Sequence, residues 1–245
     1  LRTLLRERPE LADGRAMLAE AHLRNGEPTL AIEALRTLLE FSPENQAVQV
    51  ELARQLARTG ESASALAILR EALARVPDDP AALRVEAEVY AQQKNWPALI
   101  TTATTMIRQS PDKALSYYVR GQTYLVQRRF AEAAADFAEV VRLEPDALDP
   151  MVGLVQTYLG RDQGKEAEAM LQKRLADEPD NAAWHNLLGE LYLATDKADL
   201  AEAAFRAAIK VRKDHGPAYV NLARMAARAG ELDRAIQIYK EGLAE

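Results

Sequence analysis

The sequence predicts an all-α fold, a solenoid of stacked helix-turn-helix units, and three observations carry that prediction. Six prolines, Pro9, Pro43, Pro77, Pro111, Pro145 and Pro179, follow one another at a step of 34 residues. Between them, apolar residues recur every three or four positions, the spacing of amphipathic helices. Alanine fills 46 of the 245 positions and aromatics only 6%, a composition of good helix formers and small contact residues. A period of about 20–50 residues marks a repeat array rather than one or two globular domains.

The stretch from Ala114 to Ala147 shows the plan most clearly. Its first half, Ala114 to Leu125, and its second, Phe130 to Val141, each carry a helical apolar stripe. Pro145 then closes the unit, because proline lacks an amide donor and pushes its predecessor out of the helical region. Applied along the chain, the period gives a partial unit at 1–11, the second helix of a preceding repeat. Full units follow at 12–45, 46–79, 80–113, 114–147, 148–181, 182–215 and 216–245. The next proline step lands on Lys213, where the signal passes to Pro217. With no initiator methionine and no polar capping helix after Glu245, the sequence reads as a segment of a longer protein.

Two slots are expected to be small because paired helices approach closest there. The first is Ala19, Ala53, Ala87, Gly121, Val155, Gly189 and Ala223; the second is Ala31, Ala65, Leu99, Ala133, Ala167, Ala201 and Ala235. Larger side chains recur at Leu35, Leu69, Phe137, Leu171, Phe205 and Tyr239, with Ala103 the exception. Glycine marks the turn between helices at Gly26, Gly60 and Gly230. The third unit departs most. It has Leu99 in a small slot and a threonine-rich second helix (Thr101, Thr102, Thr104, Thr105), and threonine is a mediocre helix former. It is expected to be the least regular unit, with Pro97 fitting the first helical turn.

This pattern resembles the tetratricopeptide repeat (TPR). The residues that carry the resemblance are Gly121, Tyr124, Ala133, Phe137 and Pro145, then Gly189, Tyr192, Ala201 and Phe205. It implies a right-handed α-α superhelix, a TPR solenoid of seven 34-residue repeats plus a partial N-terminal helix. In that family the first helix of each unit lines a concave face that holds a peptide or partner protein. The resemblance places Arg54, Arg84, Glu88, Leu115, Tyr118, Val119, Gln122, Val152, Gln156, Asn186, Glu190 and Asn221 on that face. One slot runs Glu20, Arg54, Glu88, Gln122, Gln156, Glu190, Arg224, and its alternating charges suggest ion pairs between neighbouring units. The middle stretch, with Gln, Tyr and Val, suits an extended peptide, whose backbone the amides can pair.

Two TPR specialisations do not fit. A carboxylate clamp needs Lys and Asn, then Asn, then Lys and Arg on three successive first helices; Asn221 matches one slot, and Asn186 and Glu190 do not complete the set. An inner asparagine ladder is also missing, since its slot holds Met17, Glu51, Val85, Val119, Gly153, Leu187 and Asn221.

Chemistry-bearing motifs are scarce. The chain has no cysteine and three histidines, so a zinc-thiolate site and a disulfide framework are excluded. His22 and His185 sit in helical slots and His215 in a turn, where packing roles are expected. Gly160 to Glu166 has the look of a phosphate loop but is one residue short, lacks the Ser/Thr that would hold magnesium and follows no strand. No cofactor is expected. No apolar run reaches the roughly 18 residues of a membrane span. The 37 acidic and 31 basic side chains, net -6, leave no domain-scale basic patch for nucleic acid.

The expected function is therefore a non-enzymatic protein-protein interaction scaffold. Family analogy places it in a bacterial envelope, secretion or exopolysaccharide assembly, with the periplasm favoured over the cytoplasm. The alternative is the substrate-recognition region of a larger enzyme such as a transferase. Self-association through the uncapped ends is a further expectation.

Overall fold

A computed structural model of the chain describes residues 12–245 and the side chains from residue 14 onward. The partial helix expected at 1–11 lies outside the described residues. Among those described there are fourteen α-helices and no strand. In order they are α1 (Ala12–Arg24), α2 (Pro28–Phe41), α3 (Gln46–Arg58), α4 (Ser62–Arg75), α5 (Pro80–Gln92), α6 (Trp96–Gln109), α7 (Ala114–Val126), α8 (Phe130–Leu143), α9 (Leu148–Gly160), α10 (Gly164–Asp177), α11 (Ala182–Ala194), α12 (Ala198–Val211), α13 (Gly216–Arg228) and α14 (Leu232–Ala244). The chain divides into two compact parts, one ending at Ser116 and the other running from Tyr117 to Glu245.

The turn inside each helix pair is one device used seven times. The residue in the left-handed region is Gly26, Gly60, Lys94, Arg128, Asp162, Asp196 or Gly230. Its amide reaches back three residues, and the next amide reaches back five, as in Glu61 N to Leu56 O at 2.8 Å and Lys197 N to Tyr192 O at 2.9 Å. These two bonds form a Schellman cap, which satisfies carbonyls a helix end leaves orphaned. Glycine is the natural occupant. At four positions the chain accepts a side chain in that conformation instead.

The turn between pairs works differently. The C-cap amide bonds back four residues, as in Ser42 N to Leu38 O at 3.0 Å and Glu178 N to Arg174 O at 2.9 Å. The proline that follows has no donor to leave unpaired. Asn45, Asp79 and Asn181 then cap α3, α5 and α11 with side-chain oxygens, satisfying first-turn amides. Ala147 and His215 supply no side-chain cap to α9 and α13.

The small slots are where helices touch. Ala31, Ala53, Ala65, Ala133, Ala167, Ala201 and Ala223 are each 0% exposed. Phe137, also fully buried, lies over Gly121 and Gly153; a Cβ on Gly153 would come within 2.6 Å of its ring. Phe205 covers Gly189 in the same way, at 2.5 Å. An aromatic ring thus fills the space that glycine vacates, which is why large and small slots alternate along the chain. Tyr239, in the same slot of α14, is 44% exposed.

α5 and α6 have the lengths of their counterparts and the same left-handed turn, at Lys94. Pro97 stands in the first turn of α6, and Leu99 is 3% exposed in its small slot. The threonine hydroxyls of α6 bond along the helix: Thr101, Thr104 and Thr105 donate to the carbonyls of Pro97, Ile100 and Thr101. Thr102 donates instead to Glu86 on α5 at 2.7 Å.

Candidate binding groove

Within the part from Tyr117 onward, successive first helices touch directly, α9 against α11 and α11 against α13. Eight of the expected groove residues lie here. Tyr118 on α7 is half-buried and meets Phe137 edge-on, ring centroids 6.0 Å apart. Its hydroxyl oxygen accepts a hydrogen bond from Gln122 Nε2 at 3.0 Å. Val119 and Val152 are half-buried, and Gln156 is exposed.

Asn186 and Asn221 are buried, at 8% and 7% exposure. Asn221 Nδ2 donates to Asn186 Oδ1 at 3.1 Å and to Glu190 Oε1 at 3.0 Å. Asn186 Nδ2 donates to the same Glu190 oxygen at 2.9 Å. The two amides join α11 to α13 and hold the exposed Glu190 carboxylate in a fixed orientation. Buried amides need such partners, because an unpaired one forfeits its hydration.

The other four expected residues lie in the part ending at Ser116. Arg84, Glu88 and Leu115 are exposed. Arg54 is half-buried and bonded to Glu51 of its own helix. With Gln46, Val50, Glu51 and Asp79 it lines a hollow of about 410 Å³ between α3 and the start of α5. Gln46 Nε2 crosses that hollow to Asp79 Oδ2 at 2.7 Å.

The ion pairs expected between neighbouring units do not form along this slot among the described residues. Glu20 pairs with Arg24 at 2.6 Å within α1, Arg54 pairs with Glu51 within α3, and Glu190 takes its bonds from asparagines. A partner three or four residues away on the same helix is already in reach, and it costs less side-chain ordering than reaching a neighbouring helix.

Sequence reasoning did not find the most buried ion pair of the part from Tyr117 onward. Arg120 on α7 grips Asp136 on α8 through two parallel bonds, Nε to Oδ2 at 2.8 Å and Nη2 to Oδ1 at 2.7 Å. Asp136 is 4% exposed. The bond to Asp136 raises the guanidinium's pKa above its ordinary value. The corresponding positions one and two units on are Leu154 with Met170 and Leu188 with Ala204, so an ion pair occupies a contact that is apolar in those units; one unit back the same positions are Glu86 and Thr102, joined by their hydrogen bond.

The histidines serve local contacts. His22 Nδ1 is 2.5 Å from Glu27 Oε2, and His185 Nε2 is 2.8 Å from the Pro179 carbonyl. His215, 5% exposed, meets Arg212 through Nδ1. Burial and then the Arg212 charge push its pKa below the ordinary value. Among the described residues there is no group of three metal-ligating side chains. None of the described helices is long and apolar enough to cross a membrane.

This is an array of short antiparallel helix pairs with one turn chemistry and one packing rule. Two family models, both of the tetratricopeptide repeat, match it, one over residues 23–89 and 124–191, the other over 100–147 and 192–245. The chain belongs to the tetratricopeptide repeat family, whose members generally mediate protein-protein interaction through a fold that is typically non-catalytic. No curated protein matches the sequence. Among solved structures it is similar to a tetratricopeptide repeat protein from Parabacteroides merdae, with 18% identity, coverage of 95% of this chain and 92% of the other, and a TM-score of 0.67. It is similar to MamA from Desulfovibrio magneticus, with 15% identity, coverage of 83% and 96%, and a TM-score of 0.55. A human IFIT1 dimer with m7Gppp-AAAA is 17% identical, with coverage of 99% of this chain and 66% of the other and a TM-score of 0.52. At these identities the likeness is one of fold.

Proposed function

We propose that the chain is a non-enzymatic scaffold that holds an extended segment of a partner protein along its first helices, from α7 to α13. The observation that supports this is a row of hydrogen-bonding groups at one register. Gln122, Gln156 and Glu190 follow one another at 34-residue steps on α7, α9 and α11. An extended backbone offers alternating donors and acceptors, which amides can pair in either sense. Glu190, preset by Asn186 and Asn221, loses less freedom when it meets a peptide N–H or a basic side chain. Tyr118 and Val152 supply apolar area beside the amides.

A pull-down tests the reading by comparing wild type with a Tyr118→Ala, Gln156→Ala double variant. Loss of the captured partner, with helicity unchanged by circular dichroism, is expected. Undiminished capture overturns the assignment of this surface.

A further inference from the structure

Glu190 on α11 is exposed, yet its carboxylate is held in place. Asn186 and Asn221 both donate to its Oε1, at 2.9 and 3.0 Å. Asn221 also donates to Asn186 at 3.1 Å, and both amides are buried. Packing alone does not call for them. The positions corresponding to Asn186 and Asn221 are Val152 and Leu187 one unit back, and Val50 and Val85 four units back. An apolar pair serves there. Burying two amides in its place brings a desolvation cost that their hydrogen bonds must offset. What the asparagines add is an anion of fixed orientation at the surface of the groove.

That carboxylate is half used. Oε1 accepts two hydrogen bonds, which fills its lone pairs, and Oε2 accepts none among the described residues. Arg224, in the same slot one unit on, is exposed and forms no ion pair with Glu190. One open oxygen discriminates between the two basic side chains. An arginine fork pairs best with both oxygens of a carboxylate, in two parallel bonds. A lysine ammonium is a point charge that one acceptor satisfies. Val152 and Val220 stand in the Asn186 slot one unit to either side, half-buried and exposed, and offer apolar surface to a lysine stem.

We propose that Glu190 is a lysine receptor: the segment held along the first helices carries a lysine whose ammonium donates to Glu190 Oε2, in preference to arginine. This rests on the groove reading above and adds the partner's chemistry to it. Asn186 and Asn221 are positioning residues, which act through the carboxylate.

Random twelve-residue peptides displayed on phage and selected on the full chain supply the probe. Selected sequences are expected to share a lysine. Fluorescence anisotropy then compares one such peptide with versions carrying norleucine or arginine in place of that lysine. Norleucine keeps the stem and removes the ammonium. It is expected to weaken binding to wild type about tenfold, the worth of a hydrogen bond to a charged group, and arginine to fall between the two. Glu190→Gln keeps an acceptor for both asparagines and removes the charge. It is expected to bind the lysine and norleucine peptides alike, with helicity unchanged by circular dichroism. The proposal is overturned by selected peptides with no shared lysine, by a norleucine peptide that binds wild type undiminished, or by a lysine preference that survives Glu190→Gln. A library that yields no binder overturns it as well, and an arginine peptide as tight as the lysine peptide refutes the one-oxygen geometry. The Tyr118→Ala, Gln156→Ala variant separates the two readings. Peptides that need Tyr118 and Gln156 but not their lysine keep the groove and sink the lysine receptor. A Glu190-dependent lysine preference, with binding indifferent to the double variant, keeps the receptor and sinks the extended groove.

Discussion

Asn221 on α13 donates from Nδ2 to Asn186 Oδ1 on α11 at 3.1 Å, and both residues are buried. Consecutive first helices are therefore joined by an amide pair with a carboxylate, Glu190, at its exposed edge. Asn221→Ala strips Asn186 Oδ1 of its donor and leaves Glu190 with one bond instead of two. It is expected to cost about 1–3 kcal/mol, read as a lower midpoint in chemical denaturation. Asn221→Leu refills the volume without restoring the donor. Equal stability of Asn221→Leu and wild type would show that the amide pair adds nothing beyond packing.

The close approach of Gly189 to the Phe205 ring predicts a steep response to one added carbon. A Cβ there would sit 2.5 Å from a ring that is fully buried. Gly189→Ala is expected to cost about 1–3 kcal/mol through overpacking. Gly216→Ala, where an added Cβ meets nothing within 4 Å, is the control and should lie within about 0.5 kcal/mol of wild type.

The seven left-handed turn residues invite the opposite kind of substitution. Lys94 and Asp196 hold φ of 54° and 57°, a conformation that costs a side-chain-bearing residue about 1–2 kcal/mol relative to glycine. Lys94→Gly and Asp196→Gly are each expected to raise the melting temperature, with a gain of about 1 kcal/mol offset in part by the greater freedom of the unfolded chain. Gly60→Ala, at φ 90°, should lower it.

The Arg120–Asp136 pair separates the worth of a buried ion pair from the cost of breaking it. Arg120→Leu alone leaves Asp136 buried without its cation and is expected to cost about 3–5 kcal/mol. Arg120→Leu with Asp136→Met reproduces the Leu154–Met170 combination found one unit later. That double variant should regain most of the loss, because well-packed apolar residues commonly replace such a pair at no net cost. The denaturation midpoints of the two variants decide between these outcomes.

His215 predicts a defined pH response. Its folded pKa lies below its ordinary 6.5, so between those values the unfolded chain binds the extra proton. Stability therefore rises with pH through that window; the contribution is complete above about 6.5 and is lost as pH falls toward the folded value. The charges in reach are Arg212, which disfavours protonation, and Asp214 and Glu190, which favour it. Comparing wild type with His215→Gln by thermal unfolding from pH 7.5 to 5 isolates this effect from the carboxylates. Wild type should lose more stability than the variant on acidification. Parallel curves would mean that His215 does not carry it.

Much of the fold was legible because its rules act locally. Proline fixes the turn between pairs, and alanine and glycine mark the close contacts, each at the same phase in most units, with Lys213, Leu99 and Val155 the departures. The left-handed turns were half legible: Gly26, Gly60 and Gly230 announce themselves, whereas Lys94, Arg128, Asp162 and Asp196 adopt the same conformation because the Schellman bonds impose it. The polar contacts were less legible. Asn186 and Asn221 are 35 residues apart, one out of phase with the repeat, so a comparison slot by slot sets Asn186 beside Val220 and Asn221 beside Leu187. Arg120 is the one charged residue of α7 and Asp136 one of four on α8; each looks like a surface charge, and only the helix packing brings them together. The slot from Glu20 to Arg224 misled because Glu20 and Arg54 have partners one turn away on their own helices and Glu190 is taken by asparagines, a competition that register alone does not express.

The proposed groove places the partner along the first helices of the part from Tyr117 onward. In vivo photo-crosslinking tests it most directly, with a photoreactive amino acid in place of exposed Gln156 on α9 or, separately, of exposed Lys173 on α10. A covalent adduct to a partner protein is expected from position 156 and none from position 173. Adducts from position 173 with none from position 156 would contradict it.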